Sequence, residues 1–168
     1  TDSQIKDYHT LWEAWNTLGD PLATGTARRQ ELIRDFKGSE SPITRAFVPL
    51  LEALEFKVKG AMDLAEAKLL ECLKQNPNEL QANLELGNLY LKRRLMAQAE
   101  RHLNRFVSGV KPERVDKTVA MDLALAYISL ARMALMAGNE GRLSELLGLA
   151  EKVDVKDARD IVAQFRVY

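Results

Sequence analysis

The sequence predicts an all-α protein built from antiparallel pairs of helices. Apolar residues recur at steps of three and four along almost the whole chain, which is the spacing of a helix with one buried face. Short breaks containing Gly, Pro or Asn separate these stretches at helix-length intervals. No alternating pattern of useful length indicates a β-strand. About nine helices are expected in a single domain over residues 1–168, because no linker rich in Pro, Gly or Ser divides the chain.

The first helical pair is expected within residues 1–40. Its first helix carries Trp12 and Trp15 on one face and ends at the sequence Gly-Asp-Pro of residues 19–21. Its second helix is expected over residues 26–37, with Gly38 as the stop. The two tryptophans either pack in the core of a terminal helix or anchor a partner, since tryptophan is frequent at interface hot spots.

Two pairs follow within residues 41–113. Ser41 and Pro42 open the third helix, because serine caps an N-terminus and proline fits the first turn, and this helix is expected to continue to Gly60. The fourth helix then ends at Asn76-Pro77. The fifth and sixth helices are expected over residues 78–92 and 96–107, followed by a turn at Ser108-Gly109.

The remaining helices are expected to form an irregular third pair and a cap. A long seventh helix starts near Pro112 and ends at about residue 137, where the sequence Gly-Asn-Glu-Gly breaks it. The eighth helix covers residues 142–153 and completes an irregular pair over residues 114–153. A last helix over residues 156–165, N-capped by Asp154, is expected to form a C-terminal cap within residues 154–168.

Residues of similar size recur in the two central pairs at an offset of thirty-four positions. The matched positions are Ala53 and Gly87, Phe56 and Tyr90, Ala65 and Ala99, and Leu69 and Leu103. This register resembles the tetratricopeptide repeat, whose pattern contains L-G-x2-Y, then A-x3-F, then P. Residues 86–90 match the first part as written, and Pro77 matches the proline. Leucine replaces the phenylalanine of the pattern, and Pro112 falls one position late.

The resemblance implies a right-handed α-solenoid with capping helices, in which the first helix of each pair lines a concave groove. Such a groove binds an extended or helical segment of another protein. A mixture of apolar, amide and basic side chains at the groove positions suits an apolar peptide that carries a carboxylate. Alternatively, the chain's own N-terminal helices cover Leu50, Leu54 and Ile128. The groove positions are Leu50, Leu54, Lys57, Leu84, Asn88, Leu91, Lys92, Ile128, Arg132 and Leu135.

The same repeat alignment bears on two further ways of binding a partner. Some family members hold a partner's C-terminal carboxylate with a paired Lys and Asn, but here Leu84 replaces the Lys beside Asn88, which speaks against such a clamp. A basic cluster either meets an acidic partner or phosphate, or forms a solvated helix surface. The zero net charge favours the second interpretation. The cluster consists of Lys92, Arg93, Arg94, Arg101, His102 and Arg105.

Composition argues against several functions. The 24 basic and 24 acidic residues cancel, which counts against a nucleic-acid or anionic-membrane binder. Cys72 is the only cysteine and His9 and His102 are the only histidines, so no zinc or catalytic set is recognisable and neither a cofactor nor enzyme activity is expected. No uninterrupted apolar run has the length of a membrane span, so no membrane insertion of this segment is expected.

The sequence therefore predicts a non-catalytic interaction module or adaptor that binds a segment of another protein. The alternative is a structural or self-associating scaffold subunit, such as one in a bacterial cell-envelope assembly, with the long seventh helix as the contact surface. The absence of an internal disulfide fits the cytoplasm or the periplasm. Because the chain begins with Thr1 instead of Met, removal of an N-terminal signal or anchor stays open.

Overall fold

The computed structural model describes residues 23–110, 117–153 and 162–163, and the regular structure within these ranges is helical. This confirms the all-α prediction. The predicted first helix, with Trp12 and Trp15, lies outside the described residues, as does the predicted last helix apart from residues 162–163. The helices are α1 (Ala23–Lys37), α2 (Pro42–Ala46), α3 (Val48–Val58), α4 (Met62–Gln75), α5 (Leu80–Lys92), α6 (Met96–Gly109), α7 (Lys117–Met136) and α8 (Glu140–Lys152).

The prediction of one continuous helix from Pro42 to Gly60 is wrong, because the chain is interrupted at Phe47 between α2 and α3. The reason is Pro49, which has no N–H to donate to the carbonyl four residues earlier and whose ring would collide with it. Proline is tolerated in the first turn of the new helix, where that N–H is not needed. The start of α2 agrees with the prediction, since the backbone N–H of Thr44 donates to the side chain of Ser41 at 3.3 Å.

The chain divides into two compact units, Thr1–Ala82 and Asn83–Tyr168, with the boundary inside α5. That the whole chain forms a single domain stays a prediction. In the first unit, α1 packs against α3, and α3 pairs with α4. A buried apolar cluster joins α1 to the start of α3. It contains Leu32, Phe36, Val48 and Leu51.

A buried ion pair also joins α1 to α3. Arg29 is only 1% exposed, and its Nε donates to Oε2 of Glu55 at 2.7 Å. The ammonium of Lys59 lies 2.9 Å from the other carboxylate oxygen. Burial raises the pKa of Glu55, but the hydrogen bonds and charges of Arg29 and Lys59 outweigh it and hold this pKa below its usual value. Since a buried charge is costly without a partner, this contact fixes where α1 lies on α3.

A second carboxylate in the first unit links three helices. Glu52 of α3 lies 2.6 Å from the ammonium of Lys37 at the end of α1, and 2.8 Å from that of Lys68 in α4. Both lysines are partly exposed, so each ion pair contributes little by itself. Together with the buried contact, they orient α3 between α1 and α4.

The same type of turn closes three helical hairpins, α3–α4, α5–α6 and α7–α8. Each turn contains one residue with a positive φ: Gly60 at 76°, Arg94 at 60° and Gly138 at 68°. Glycine adopts this left-handed conformation without strain, whereas an L side chain at Arg94 costs roughly 1–2 kcal/mol. The chain tolerates this cost at Arg94 because the turn satisfies carbonyl groups at the end of α5.

One hydrogen bond in each turn identifies equivalent residues in the three hairpins. The residue after the turn donates its N–H to a carbonyl five positions earlier: Ala61 to Phe56, Leu95 to Tyr90, and Asn139 to Ala134, each at 2.9 Å. These bonds form the Schellman motif that ends many helices. They align the hairpins independently of side-chain similarity.

The alignment shows a common core pattern. A small buried residue stands seven positions before each turn residue, and a buried leucine nine positions after it. The turn residues Gly60 and Arg94 are thirty-four positions apart, as the sequence register predicts, whereas Gly138 follows Arg94 by forty-four. The equivalent core residues are Ala53, Gly87 and Ala131 in the first helices, and Leu69, Leu103 and Leu147 in the second.

In the second unit, α6 packs against α7, and α7 pairs with α8. Helix α7 includes Val119–Met136, a segment of 18 residues with mean hydropathy 1.6, which is long and apolar enough to cross a membrane by length and composition alone. Asp122 and Arg132 interrupt this segment, and 50% of it is buried inside the structure. Helices α6 and α8 pack against α7 and cover part of this apolar segment.

The closest approach within the α5–α6 hairpin occurs at Gly87. A Cβ atom placed there would lie 2.6 Å from Cδ2 and 2.7 Å from Cγ of Leu103, which is itself fully buried. The small residue that the sequence pattern requires at this position is therefore explained by direct contact between the two helices.

We expect Gly87→Ala to lower the free energy of unfolding by about 1–3 kcal/mol, because the added methyl group collides with Leu103. Gly148→Ala is the matched control: it is also helical, but nothing lies within 4 Å of an added Cβ. That variant should be neutral or more stable by up to about 1 kcal/mol. Urea unfolding followed by circular dichroism measures both, and equal effects would contradict the assigned contact.

Candidate functional site

The structure buries four of the ten residues predicted to line a groove: Leu50, Leu54, Leu84 and Ile128. A partner cannot contact these side chains while the helices stay packed. Leu91 is half-buried, and the other five are exposed: Lys57, Asn88, Lys92, Arg132 and Leu135. That the accessible residues bind a partner stays a prediction.

A concave site with an apolar base lies in the second unit, where α6, α7 and α8 meet. It is an open cleft of about 90 Å³, large enough for one side chain. Three of the residues lie on one face of α7, at the spacing of successive helical turns, and Ala137 directly follows this helix. The lining residues are Glu100 from α6; Leu130, Met133, Ala134 and Ala137 from α7 and its end; and Asn139, Arg142 and Leu146 from the turn and α8.

The cleft lies where the third hairpin lacks an aromatic ring. The turn hydrogen bonds make Phe56, Tyr90 and Ala134 equivalent. Tyr90 is buried and its ring centroid lies 5.6 Å from that of His102, so the ring fills space between α5 and α6. Ala134 offers only a methyl group at the same position and lines the cleft. This site is not among those predicted from the sequence, although an alignment of the third pair on Gly138 reveals the missing ring.

The two charged side chains that line the cleft, Arg142 and Glu100, differ in their contacts. The guanidinium of Arg142 lies 2.8 Å from a carboxylate oxygen of Glu145, and its other terminal nitrogen donates to Oδ1 of Asn104 at 3.3 Å. The backbone N–H of Arg142 donates to the side chain of Asn139, which caps α8. Glu100 supplies a second charge and is exposed. Arg142 is therefore paired with Glu145, and Glu100 is the acidic residue among the side chains that line the cleft.

Two large apolar side chains are exposed in the last turn of α7. Leu135 is 55% exposed and Met136 is 74% exposed. Because successive helical residues are rotated by about 100°, both side chains lie on faces of α7 other than the one that lines the cleft. Single exposed apolar residues are common on protein surfaces, and two in succession are a candidate contact surface separate from the cleft.

His102 is buried between α5 and α6 instead of facing a site. Its Nδ1 lies 2.9 Å from Oδ1 of Asn83, and since an amide oxygen only accepts, the ring N–H donates to it. Burial, together with the nearby charges of Arg105 and Arg101, holds the pKa of His102 below its usual value. The imidazole is therefore neutral at neutral pH and joins the two helices.

The remaining reactive groups form no chemical site in the described ranges. Burial, with a smaller contribution from Glu79 and Glu71, raises the pKa of Cys72 to about 12, so its thiol stays protonated. Within the part of the chain that the structure describes, no group of three His, Cys, Asp or Glu side chains is placed to hold a metal ion. Among the predicted basic cluster, Lys92, Arg94, Arg101 and Arg105 are exposed.

No protein-family model matches the chain, and no curated protein or solved structure matches it either.

The stability of the protein should fall as the pH drops below 6.5, the usual pKa of histidine. The pKa of His102 is lower in the folded state, so the unfolded chain takes up a proton first and unfolding becomes more favourable with acidification. His102→Gln keeps a hydrogen-bond donor for Asn83 but cannot take up this proton. Its melting temperature should therefore fall less than that of the wild type when the pH is lowered from above 6.5 to below 6.5. An unchanged pH dependence in this variant would contradict the assignment.

Filling the cleft should leave folding nearly unaffected. In Ala134→Leu the added carbons enter the cleft, so we expect the free energy of unfolding to change by less than about 1 kcal/mol. Ala131→Leu is the control one turn earlier in α7, where the alanine is fully buried away from the cleft. Overpacking there should cost about 1–3 kcal/mol. Chemical unfolding of the two variants measures the difference, and equal destabilisation would show that the cleft cannot accept a side chain.

Proposed function

We propose that the chain is a non-catalytic protein-interaction module of the tetratricopeptide-repeat type, and that it binds a segment of another protein at the cleft between α6, α7 and α8. One observation carries this proposal. The third hairpin keeps the turn and the core register of the others but has Ala134 where they have an aromatic ring. The resulting cleft has an apolar lining that includes Leu130, Met133 and Leu146.

Three features support the assignment to the repeat class. The hairpins α3–α4, α5–α6 and α7–α8 end their first helices with the same turn. The first two turns are separated by the repeat length of this class, which is 34 residues. The small residues at 53, 87 and 131 are buried at the same distance from the turn. Helix pairs of this kind stack into solenoids because one pair cannot bury its own apolar face.

The size of the cleft limits the binding free energy that it can contribute. Burying one leucine-sized side chain contributes about 1.5–3 kcal/mol. Association must also compensate for lost translational and rotational freedom, which costs at least about 4 kcal/mol. A stable complex therefore needs further contacts outside the cleft. The cleft acts as the anchoring point of a larger interface.

A self-associating scaffold subunit is the second candidate. The observation that favours it is the exposure of Leu125, Leu135 and Met136 on α7, which would be covered in a complex between two copies of the chain. Light scattering over a range of protein concentrations separates the two candidates. A concentration-dependent increase in mass that Met136→Lys removes would support self-association, whereas a constant monomer mass would exclude it.

The interaction proposal predicts that Ala134→Leu abolishes capture of a partner from a lysate of the source organism, because the cleft is then occupied by the protein's own side chain. Ala67→Leu is the matched control, since it adds the same atoms at an exposed position in α4. A partner identified by mass spectrometry should be retained by the wild type and by this control and lost by the cleft variant. Retention by all three proteins would disprove the proposal.

A further inference from the structure

We infer that the bound segment inserts one leucine-sized apolar side chain into the cleft and places a lysine or arginine side chain against Glu100. This inference rests on the proposed function and adds the chemical class of the partner: a basic, apolar segment of another protein.

The apolar part of the inference follows from what lines the cleft. Leu130 and Leu146 contribute branched carbons at its base, and Ala134 and Ala137 leave the space open. Met133 is unbranched and can adjust to the shape of an incoming side chain. A polar side chain in this position would lose its hydration without gaining hydrogen bonds from these residues. The side chain that fits is therefore aliphatic and fills the volume that a ring occupies in the second hairpin.

The charge of the partner follows from the pairing of the two ionised residues that line the cleft. Arg142 already contacts Glu145 and Asn104, so an incoming carboxylate would have to compete with both. Glu100 is exposed and lines the cleft from α6. A lysine or arginine adjacent to the inserted apolar residue can reach this carboxylate while its own aliphatic stem covers the apolar rim.

An acidic partner would fit less well. It would place a like charge beside Glu100, which is unfavourable. The predicted basic cluster on α5 and α6 contributes no residue to the cleft lining. Charge complementarity therefore selects a basic segment for this site.

Methyl NMR of the full chain, with labelled Met and Leu, tests the inference with three capped dipeptides: N-acetyl-Leu-Lys-amide, N-acetyl-Leu-Glu-amide and N-acetyl-Ala-Lys-amide. The methyl signals of Leu130, Met133 and Leu146 should shift on addition of the first. The Leu-Lys probe should bind about threefold more tightly than the Leu-Glu probe, as expected for a partly exposed ion pair. The Ala-Lys probe should bind roughly tenfold more weakly, because it buries fewer carbons.

Glu100→Gln should remove the preference for lysine over glutamate but keep the preference for leucine over alanine. Glu40→Gln, an exposed residue of the first unit, is the matched control and should bind all three probes as the wild type does. The inference is overturned if the cleft methyl signals do not move up to the solubility limit of the probes, if lysine and glutamate bind equally, or if the preference survives in Glu100→Gln.

Failure of this inference and failure of the proposed function can be distinguished. If the probes show no charge preference but Ala134→Leu still abolishes partner capture, the cleft binds a partner of another chemistry. If Ala134→Leu leaves capture intact, the interaction site itself is wrong, whatever the dipeptides show.

Discussion

The three hairpins depend on one backbone constraint, the left-handed residue that ends the first helix of each. Gly60, Arg94 and Gly138 reverse the chain within a few residues, and the hydrogen bond across each turn fixes the position at which the second helix starts. Because a helix advances by a fixed rotation per residue, a fixed starting point also fixes which side chains of the second helix face the first. The recurrence of buried residues at constant distances from the turn follows from this geometry. Arg94 adopts the conformation despite its side chain, which shows that the turn is imposed by the packing of the hairpin.

In hairpins of this geometry, the size of one side chain decides whether the helices are in contact or leave a space. At Gly87 the absence of a side chain lets Leu103 approach so closely that even a methyl group would not fit. At Ala134 the absence of a ring has the opposite result, because neighbouring side chains from α6 and α8 do not move in to replace it. Protein interiors are densely packed, so an unfilled space that opens to solvent is a candidate for occupation by another molecule.

The two units use different means to fix their helices. In the first unit a charged residue, Arg29, is completely buried and is compensated by Glu55, so the position of α1 depends on an ion pair as well as on apolar contacts. In the second unit a neutral pair, Asn83 and His102, joins α5 to α6. Paired polar groups add directional specificity that apolar packing lacks, because each requires its partner at hydrogen-bond distance. The folded state lowers the pKa of both Glu55 and His102, so protonation of either group destabilises the unit that contains it.

The sequence by itself determined the all-α class, most helix boundaries and the register of the two central hairpins, because helical periodicity, Gly and Pro breaks and a repeat offset are local properties of the chain. The sequence also contains the cause of the interruption at Phe47, which is Pro49. The break was not predicted because the apolar face continues across it. Only the tertiary structure decided that Leu50, Leu54, Leu84 and Ile128 are buried and that Arg29 meets Glu55 across 26 positions. Burial and pairing depend on which helices pack together, and periodicity identifies an apolar face without showing what covers it. The cleft also depends on which helices pack together. Ala134 is an ordinary helix residue in the sequence, and it lines a cleft only because α6, α7 and α8 meet around it.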